Sequence, residues 1–243
     1  YRMGYLPEER GLYKKMRVYE HIYFIGRLKG VPRKTLKKRI DEYLEKWEML
    51  GWASKRIEEI SKGMQQKVQL LCTLIHDPPI LILDEPLTGL DPINASMIKR
   101  ELQELSTNGK TIILSTHDMA SVEELCSYIC LVNRGRKILE GEVSRLKYYY
   151  RTSTYETLLI LKNNISLDTL LNELSRTCHI IKTEERGPFT YIKFKMKDSA
   201  PSSVVITHLN NLYGVEIIKF EELLPTINEI FVRRITADNP ATP

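Results

Sequence analysis

The sequence predicts an α/β protein with a smaller α+β part toward its C-terminal end. Three observations carry this prediction. Ile80-Leu81-Ile82-Leu83 is an apolar run that ends in two acids, the pattern of a central parallel strand covered on both faces. A helical pattern, a second apolar run over residues 111–115 and another helical pattern follow it, so strand and helix alternate. Beyond residue 154 the order becomes strand, helix, strand, strand, helix, strand, which is the ferredoxin-like plan.

Residues 18–77 read as helical. After Pro32, the residues Leu36, Ile40, Tyr43, Leu44 and Trp47 recur at spacings of three and four, an apolar stripe on a helix otherwise rich in Lys, Arg and Glu. The next helix opens at Ser61, whose hydroxyl can accept from the free N–H groups of the first turn. Its expected inner stripe is Met64, Val68, Leu71 and Ile75. After Pro78-Pro79 comes the first apolar strand. Asp91, with Pro92 behind it, starts a helix that ends before Gly109 and turns Ile98, Leu102 and Leu105 inward. Residues 111–115 form a second buried strand, followed by His117 and a helix with Val122, Leu125 and Cys126. Residues 128–133 and 136–140 flank Arg134-Gly135 as a closing β-hairpin. The polar and aromatic stretch 146–154 is the expected boundary. Strands over 155–161, 179–183, 190–196 and 215–220, and helices over 167–175, 202–212 and up to Phe231, complete the ferredoxin-like part.

Composition narrows the function. With 36 Lys plus Arg against 31 Asp plus Glu the chain carries +5, and the basic residues are scattered, which gives little support for nucleic-acid binding. Mild basicity suits an anionic ligand or a membrane face equally. No apolar run approaches the roughly 20 residues needed to span a bilayer, and no secretory signal pattern is present, so any membrane role is expected to be peripheral. Cys72, Cys126, Cys130 and Cys178 lack zinc or redox spacing and read as reduced core thiols of a cytoplasmic protein. The chain opens on Tyr1 directly in an ordered-looking motif, which suggests an N-terminal truncation.

Both apolar strands end in residues suited to phosphate chemistry. The Asp84-Glu85 pair offers one carboxylate for Mg2+ and a second to orient or deprotonate an attacking water. His117 could contact a transferred phosphoryl group. Singly these are weak signals: an acid pair after a strand is as often a loop start, and a lone histidine is more often structural. Their order is specific. Ser61-Lys62-Gly63-Met64-Gln65-Gln66-Lys67, then Ile80 to Pro86, then Gly89-Leu90-Asp91-Pro92, then Ser115-Thr116-His117-Asp118 resembles the ATP-binding cassette family over residues 1–145. These blocks look like its signature motif, Walker B motif, D-loop and switch histidine. Gly4-Tyr5-Leu6-Pro7-Glu8 stands where the family has its Q-loop. Residues 155–235 more weakly resemble the accessory C-terminal domain of sodium-exporter-like cassette proteins.

The resemblance implies a partial P-loop NTPase-type cassette over residues 1–147, with a helical subdomain over about 18–77 and a catalytic α/β part over 78–147. An accessory ferredoxin-like domain covers 152–236. It implies ATP and Mg2+ as ligands, with Asp84 and Glu8 on the metal and Glu85 and His117 as catalytic residues. Ser61, Lys62, Gly63 and Asp91 would contact nucleotide across a head-to-tail dimer with a second ATP-binding subunit. For Asp91, capping a helix before Pro92 explains the residue without that role. Implied further are a transmembrane permease subunit as partner, a peripheral place on the cytoplasmic face of the cell membrane, and coupling of ATP hydrolysis to transport, in the export direction. No nucleic-acid partner is expected. A soluble cassette ATPase acting on DNA or ribosomes and a catalytically dead regulatory fragment are the competing readings.

Two positions depart from the family pattern. Glu8 replaces the usual glutamine; it can ligate Mg2+ more strongly but brings negative charge toward ATP phosphates. Lys62 replaces a glycine, and a cation in the first turn of a helix opposes the macrodipole by about 0.3–1 kcal/mol until an anion docks there. No G-x-x-x-x-G-K-[ST] is found in the chain, so the segment by itself is expected to be inactive.

Overall fold

The computed structural model describes residues 2–9, 11–162, 165–197, 201–212 and 214–238. The chain divides into two compact units between Leu125 and Cys126.

In the first unit β1 (Met3–Leu6), β2 (Ile80–Asp84) and β3 (Thr111–Ser115) form a parallel sheet in that order. Between β1 and β2 run α1 (Val18–Leu28), α2 (Arg33–Lys46), two 3-10 turns (Leu50–Trp52 and Ile57–Glu59) and α3 (Lys62–Leu74); α4 (Pro92–Thr107) joins β2 to β3, and α5 (Met119–Leu125) follows. The stripe read on α2 is the buried one, with Leu36, Ile40, Leu44 and Trp47 withdrawn from solvent. Trp47 Nε1 donates to Glu101 Oε2 of α4 at 3.3 Å, and Lys46 pairs with the same carboxylate at 2.7 Å, so α2 and α4 are tied at one end.

α3 starts where Ser61 predicts, with Met64 N–H donating to Ser61 Oγ at 3.2 Å. Its burial is wider than the expected stripe: every residue from Gln66 to Leu74 is buried, because α3 packs on α1 as well as β1. Gly4 lets β1 come this close, since a Cβ there would lie 2.8 Å from Thr73 O and from a Leu81 methyl.

The unbroken apolar run predicts cover on both faces of β2 and a buried β3, and the structure differs. Leu6, Leu81 and Leu83 are fully buried, whereas Met3, Tyr5, Ile80 and Ile113 are 49, 56, 38 and 55% exposed. Strand side chains alternate between faces, so the first set meets the helices and the second lies on the open face of the sheet. An apolar run reports what each face can bury; it does not report what covers it.

The second unit begins with a hairpin of β4 (Tyr128–Asn133) and β5 (Arg136–Glu142) around Arg134 and Gly135, both at positive φ (48° and 72°) as a two-residue turn requires. Residues 143–149, at the start of the expected boundary, form a helix, α6 (Val143–Tyr149). Then come β6 (Thr154–Leu161), α7 (Leu167–Leu174), β7 (Cys178–Arg186), β8 (Phe189–Met196), α8 (Ser202–Asn211), β9 (Val215–Glu222) and α9 (Ile227–Asp238). The sheet order β7-β8-β6-β9, with all neighbours antiparallel, is the ferredoxin-like arrangement, closed over a core that includes Leu159, Leu170, Ile192, Phe194 and Leu209. The expected boundary at 147–152 lies inside this unit: α9 packs on α6, and Arg233 Nη1 donates to Tyr150 O at 3.4 Å.

Cys72 and Cys178 are buried, and burial pushes both thiols up. Cys130 is exposed, contrary to the core-thiol reading, because β4 alternates and Cys130 shares its open side with Tyr128 and Val132. Among the described residues no helix is long and apolar enough to cross a membrane.

Candidate functional site at the carboxyl ends of the parallel strands

Parallel pairing brings the carboxyl ends of β1, β2 and β3 to one edge of the first unit, with Leu6 opposite Leu83 and Asp84 opposite Ser115. Glu8, the Asp84-Glu85 pair and Ser115-Thr116-His117 all follow from that edge. The two acids point apart. Asp84 Oδ1 accepts from Ser115 Oγ at 2.5 Å, whereas Glu85 leaves the strand at a φ of +46° and turns its carboxylate to the segment after β3. For a side chain this long such a backbone costs on the order of 1–3 kcal/mol and persists only where the surroundings over-determine it.

They do so here. The Glu85 N–H donates to Ser115 O at 2.9 Å, and Glu85 O accepts from the Thr88 N–H at 3.2 Å. Glu85 Oε1 accepts from the His117 N–H at 3.0 Å and from His117 Nδ1 at 2.5 Å. Oε2 accepts from Thr88 Oγ1 at 3.0 Å and Thr116 Oγ1 at 3.2 Å. A carboxylate has about four lone-pair positions, and all are in use. Burial raises the Glu85 pKa, but the hydrogen bonds from the His117 side chain, Thr88 and the His117 N–H outweigh it and hold the carboxyl below its ordinary value. The reciprocal effect raises His117: its hydrogen bond to Glu85 comes first, then the Glu85 charge, with smaller contributions from Asp118 and Glu8. Asp118 accepts the Ala120 N–H at 3.1 Å and so fixes the turn behind the imidazole.

The remaining residues form a second group. Ser61 and Lys62 are exposed at the start of α3, and the Cβ that Gly63 lacks would lie 3.1 Å from Gly89 O. Gly89 belongs to the loop leading to Asp91, which caps α4 by accepting from the Ile93 and Asn94 N–H groups at 3.1 Å and from the Asn94 side chain. Those bonds, the Asn94 N–H first, hold the Asp91 carboxyl below its ordinary value. The strand-end group and the α3 group are thus separate clusters of one unit.

Among the described residues no three His, Cys, Asp or Glu side chains gather into a metal cage. Mg2+ does not need such a cage, since it keeps waters and substrate phosphates as ligands and takes one or two carboxylates from the protein. Thr88 and Thr116, which complete the hold on Glu85, are absent from the sequence-derived set. Thr116 carries only the signal of lying between Ser115 and His117.

Residues 1–88 match the family model for ABC transporters. An ABC transporter ATP-binding protein of Alkalihalophilus pseudofirmus is 34% identical over 96% of this chain and 83% of its own length. YhaQ, an ABC transporter ATP-binding protein of Bacillus subtilis, is 32% identical over 97% of this chain and 75% of its own. A solved ATP-binding subunit of an ABC transporter superposes with a TM-score of 0.57 at 28% identity, over 61% of this chain and 62% of that one. With about a third of its residues shared along most of two such relatives, the chain belongs to the ATP-binding proteins of the ABC transporter family.

Proposed function

We propose that this protein is the ATP-hydrolysing motor subunit of an ABC transporter and that Glu85 is the carboxylate that activates the attacking water. The observation that supports this best is the hold on Glu85, a strained carboxylate beside Asp84 and bonded to His117 at the end of a central strand. Asp84, aided by Glu8, would hold Mg2+. Mg2+ bound there would supply charge neutralisation for the phosphate oxygens. With all four positions of its carboxylate taken, Glu85 must release a donor before it can accept from water. The His117 imidazole is the donor free to leave, being 86% exposed while the Glu85 side chain is 18% exposed. An imidazole N–H suits an anionic phosphoryl oxygen, and its departure opens one position on Oε1.

Ser61, Lys62 and Gly63 are proposed to reach the ATP of a second subunit in a head-to-tail dimer, where a helix N-terminus with free N–H groups suits a phosphate. The Asp91 loop packs against that helix and would follow it. A transmembrane permease subunit, a peripheral place on the cytoplasmic face of the membrane and the export direction complete the proposal; export is supported by the resemblance of residues 155–235 to sodium-exporter-like proteins. The isolated 243-residue segment is proposed to be inactive, since no phosphate-cradling G-x-x-x-x-G-K-[ST] is found in it.

The test is Glu85→Gln in the full-length gene product. An amide keeps the size but loses the charge that activates water, so turnover falls while Mg-ATP still binds and the closed dimer accumulates on size-exclusion chromatography. A variant that keeps more than about a tenth of the wild-type rate, a barrier change under about 1.4 kcal/mol, ends the assignment.

A further inference from the structure

Three polar side chains lie buried along one line of α3. Gln66, Gln69 and Thr73 are 4, 6 and 6% exposed, and their spacing of three and four puts them on one face of the helix. Each is aimed at backbone carbonyls of the segments that carry the strand-end residues. Gln66 Nε2 donates to Glu85 O at 3.4 Å and Pro86 O at 3.3 Å. Gln69 Nε2 donates to Pro7 O at 2.8 Å and Glu9 O at 3.2 Å, on either side of Glu8. Thr73 Oγ1 donates to Gln69 O one turn back at 3.0 Å and lies 3.4 Å from Tyr5 O, where β1 leads into that segment. Gln69 Oε1 is buried with no hydrogen-bond partner among the described residues, so what the amide is seen to serve is the two loop carbonyls.

The N-terminus of the same helix carries Ser61 and packs Gly63 against Gly89 of the loop that runs on from Glu85. A helix is stiff along its axis, and buried amides bonded to loop carbonyls hold those loops in register with it. A shift of the Ser61 end must therefore be felt at Glu85 O, one residue's width from the activating carboxylate, and at the carbonyls that flank Glu8.

We infer that Gln66 and Gln69 are positioning residues that make α3 a mechanical link between the nucleotide met at Ser61 and the water-activating site of the same chain. This rests on the roles proposed above for Ser61 and Glu85. Gln66 sets the orientation of Glu85 by holding its carbonyl while His117, Thr88 and Thr116 hold its carboxylate. Gln69 sets the approach of Glu8 to the metal.

The test uses the full-length gene product with Gln66→Met and Gln69→Met, which keep the length of the side chain and remove the amide, measured beside Glu85→Gln. Gln66→Met is expected to lower kcat at least tenfold with KM for ATP changed less than threefold and the ATP-driven dimer still formed. Gln69→Met is expected to raise the Mg2+ concentration for half-maximal rate at least threefold. A purely structural role would lower Tm and leave kcat per folded molecule and the Mg2+ requirement alone. Should Gln66→Met fail to fold, the same kinetics are read on Gln66→Asn, whose amide is too short to serve both carbonyls. Glu85→Gln inactive with Gln66→Met within twofold of wild type overturns the inference alone; Glu85→Gln active overturns the reading beneath it.

Discussion

His117 and Glu85 perturb each other in opposite directions, and the pair has a pH window that follows from the signs. The Glu85 carboxyl is lowered, so its contribution to stability is present above the ordinary carboxylate range and lost as pH falls through its folded value. His117 is raised from 6.5, so its contribution is complete below that value and lost as pH rises through the folded one. The stability difference between wild type and His117→Ala, measured by urea titration, should be largest near pH 5 to 6, between the ordinary carboxylate and imidazole values, and shrink as pH moves away on either side. Removing the imidazole also leaves burial less opposed at Glu85 in the free enzyme, so the acid limb of the kcat/KM profile should move to higher pH; an unmoved limb would mean that Glu85 does not set it. The acid and the histidine were legible in the sequence because they stand at strand ends in a specific order. Thr88 and Thr116 were not, because a hydroxyl on a loop has no period, and Thr116 meets a carboxylate 31 residues away.

Among the elements, α2 and α3 show how far periodicity reaches. The apolar stripe of α2 predicts its buried face because one side of that helix remains in water. α3 is enclosed from Gln66 to Leu74, so its polar Gln66, Gln69 and Thr73 are nearly as buried as its leucines, and the stripe Met64, Val68, Leu71 and Ile75 understates its contacts. For β2 and β3 the pattern overstates burial. Leu83 lies fully buried on the helix side of the sheet and Ile113 is exposed on the other. Leu83→Ala should therefore cost about 2–5 kcal/mol in chemical denaturation of the 243-residue chain. Ile113→Thr, which keeps the β-branch, should stay within about 0.5 kcal/mol. Comparable losses at the two sites would show that both faces are covered in solution.

At the scale of the molecule, the second unit holds its own core and its own antiparallel sheet. The hairpin, α6 and α9 belong to it, which moves its start from the polar stretch after residue 146 to Cys126. Residues 126–238 should then unfold in one cooperative thermal transition when expressed alone. The shorter piece 152–238, deprived of α6 beneath α9 and of Tyr150 O for Arg233, should melt several degrees lower. Equal midpoints for the two pieces would return the boundary to 152.

The amino-acid sequence by itself determined most of the strand and helix order, though not β1 or α6, with the caps at Ser61 and Asp91, the ferredoxin-like plan and the residues at the ends of β2 and β3. All of these follow from local patterns: alternation, helical period, capping chemistry and motif order. The tertiary structure alone decided that Glu85 has every acceptor position filled, that α3 is buried all round from Gln66 to Leu74, that one sheet face is exposed in this chain and that residues 143–149 join the second unit. Those outcomes depend on which segments meet across tens of residues, and burial or a hydrogen-bond partner is a property of the meeting, which no local spacing records.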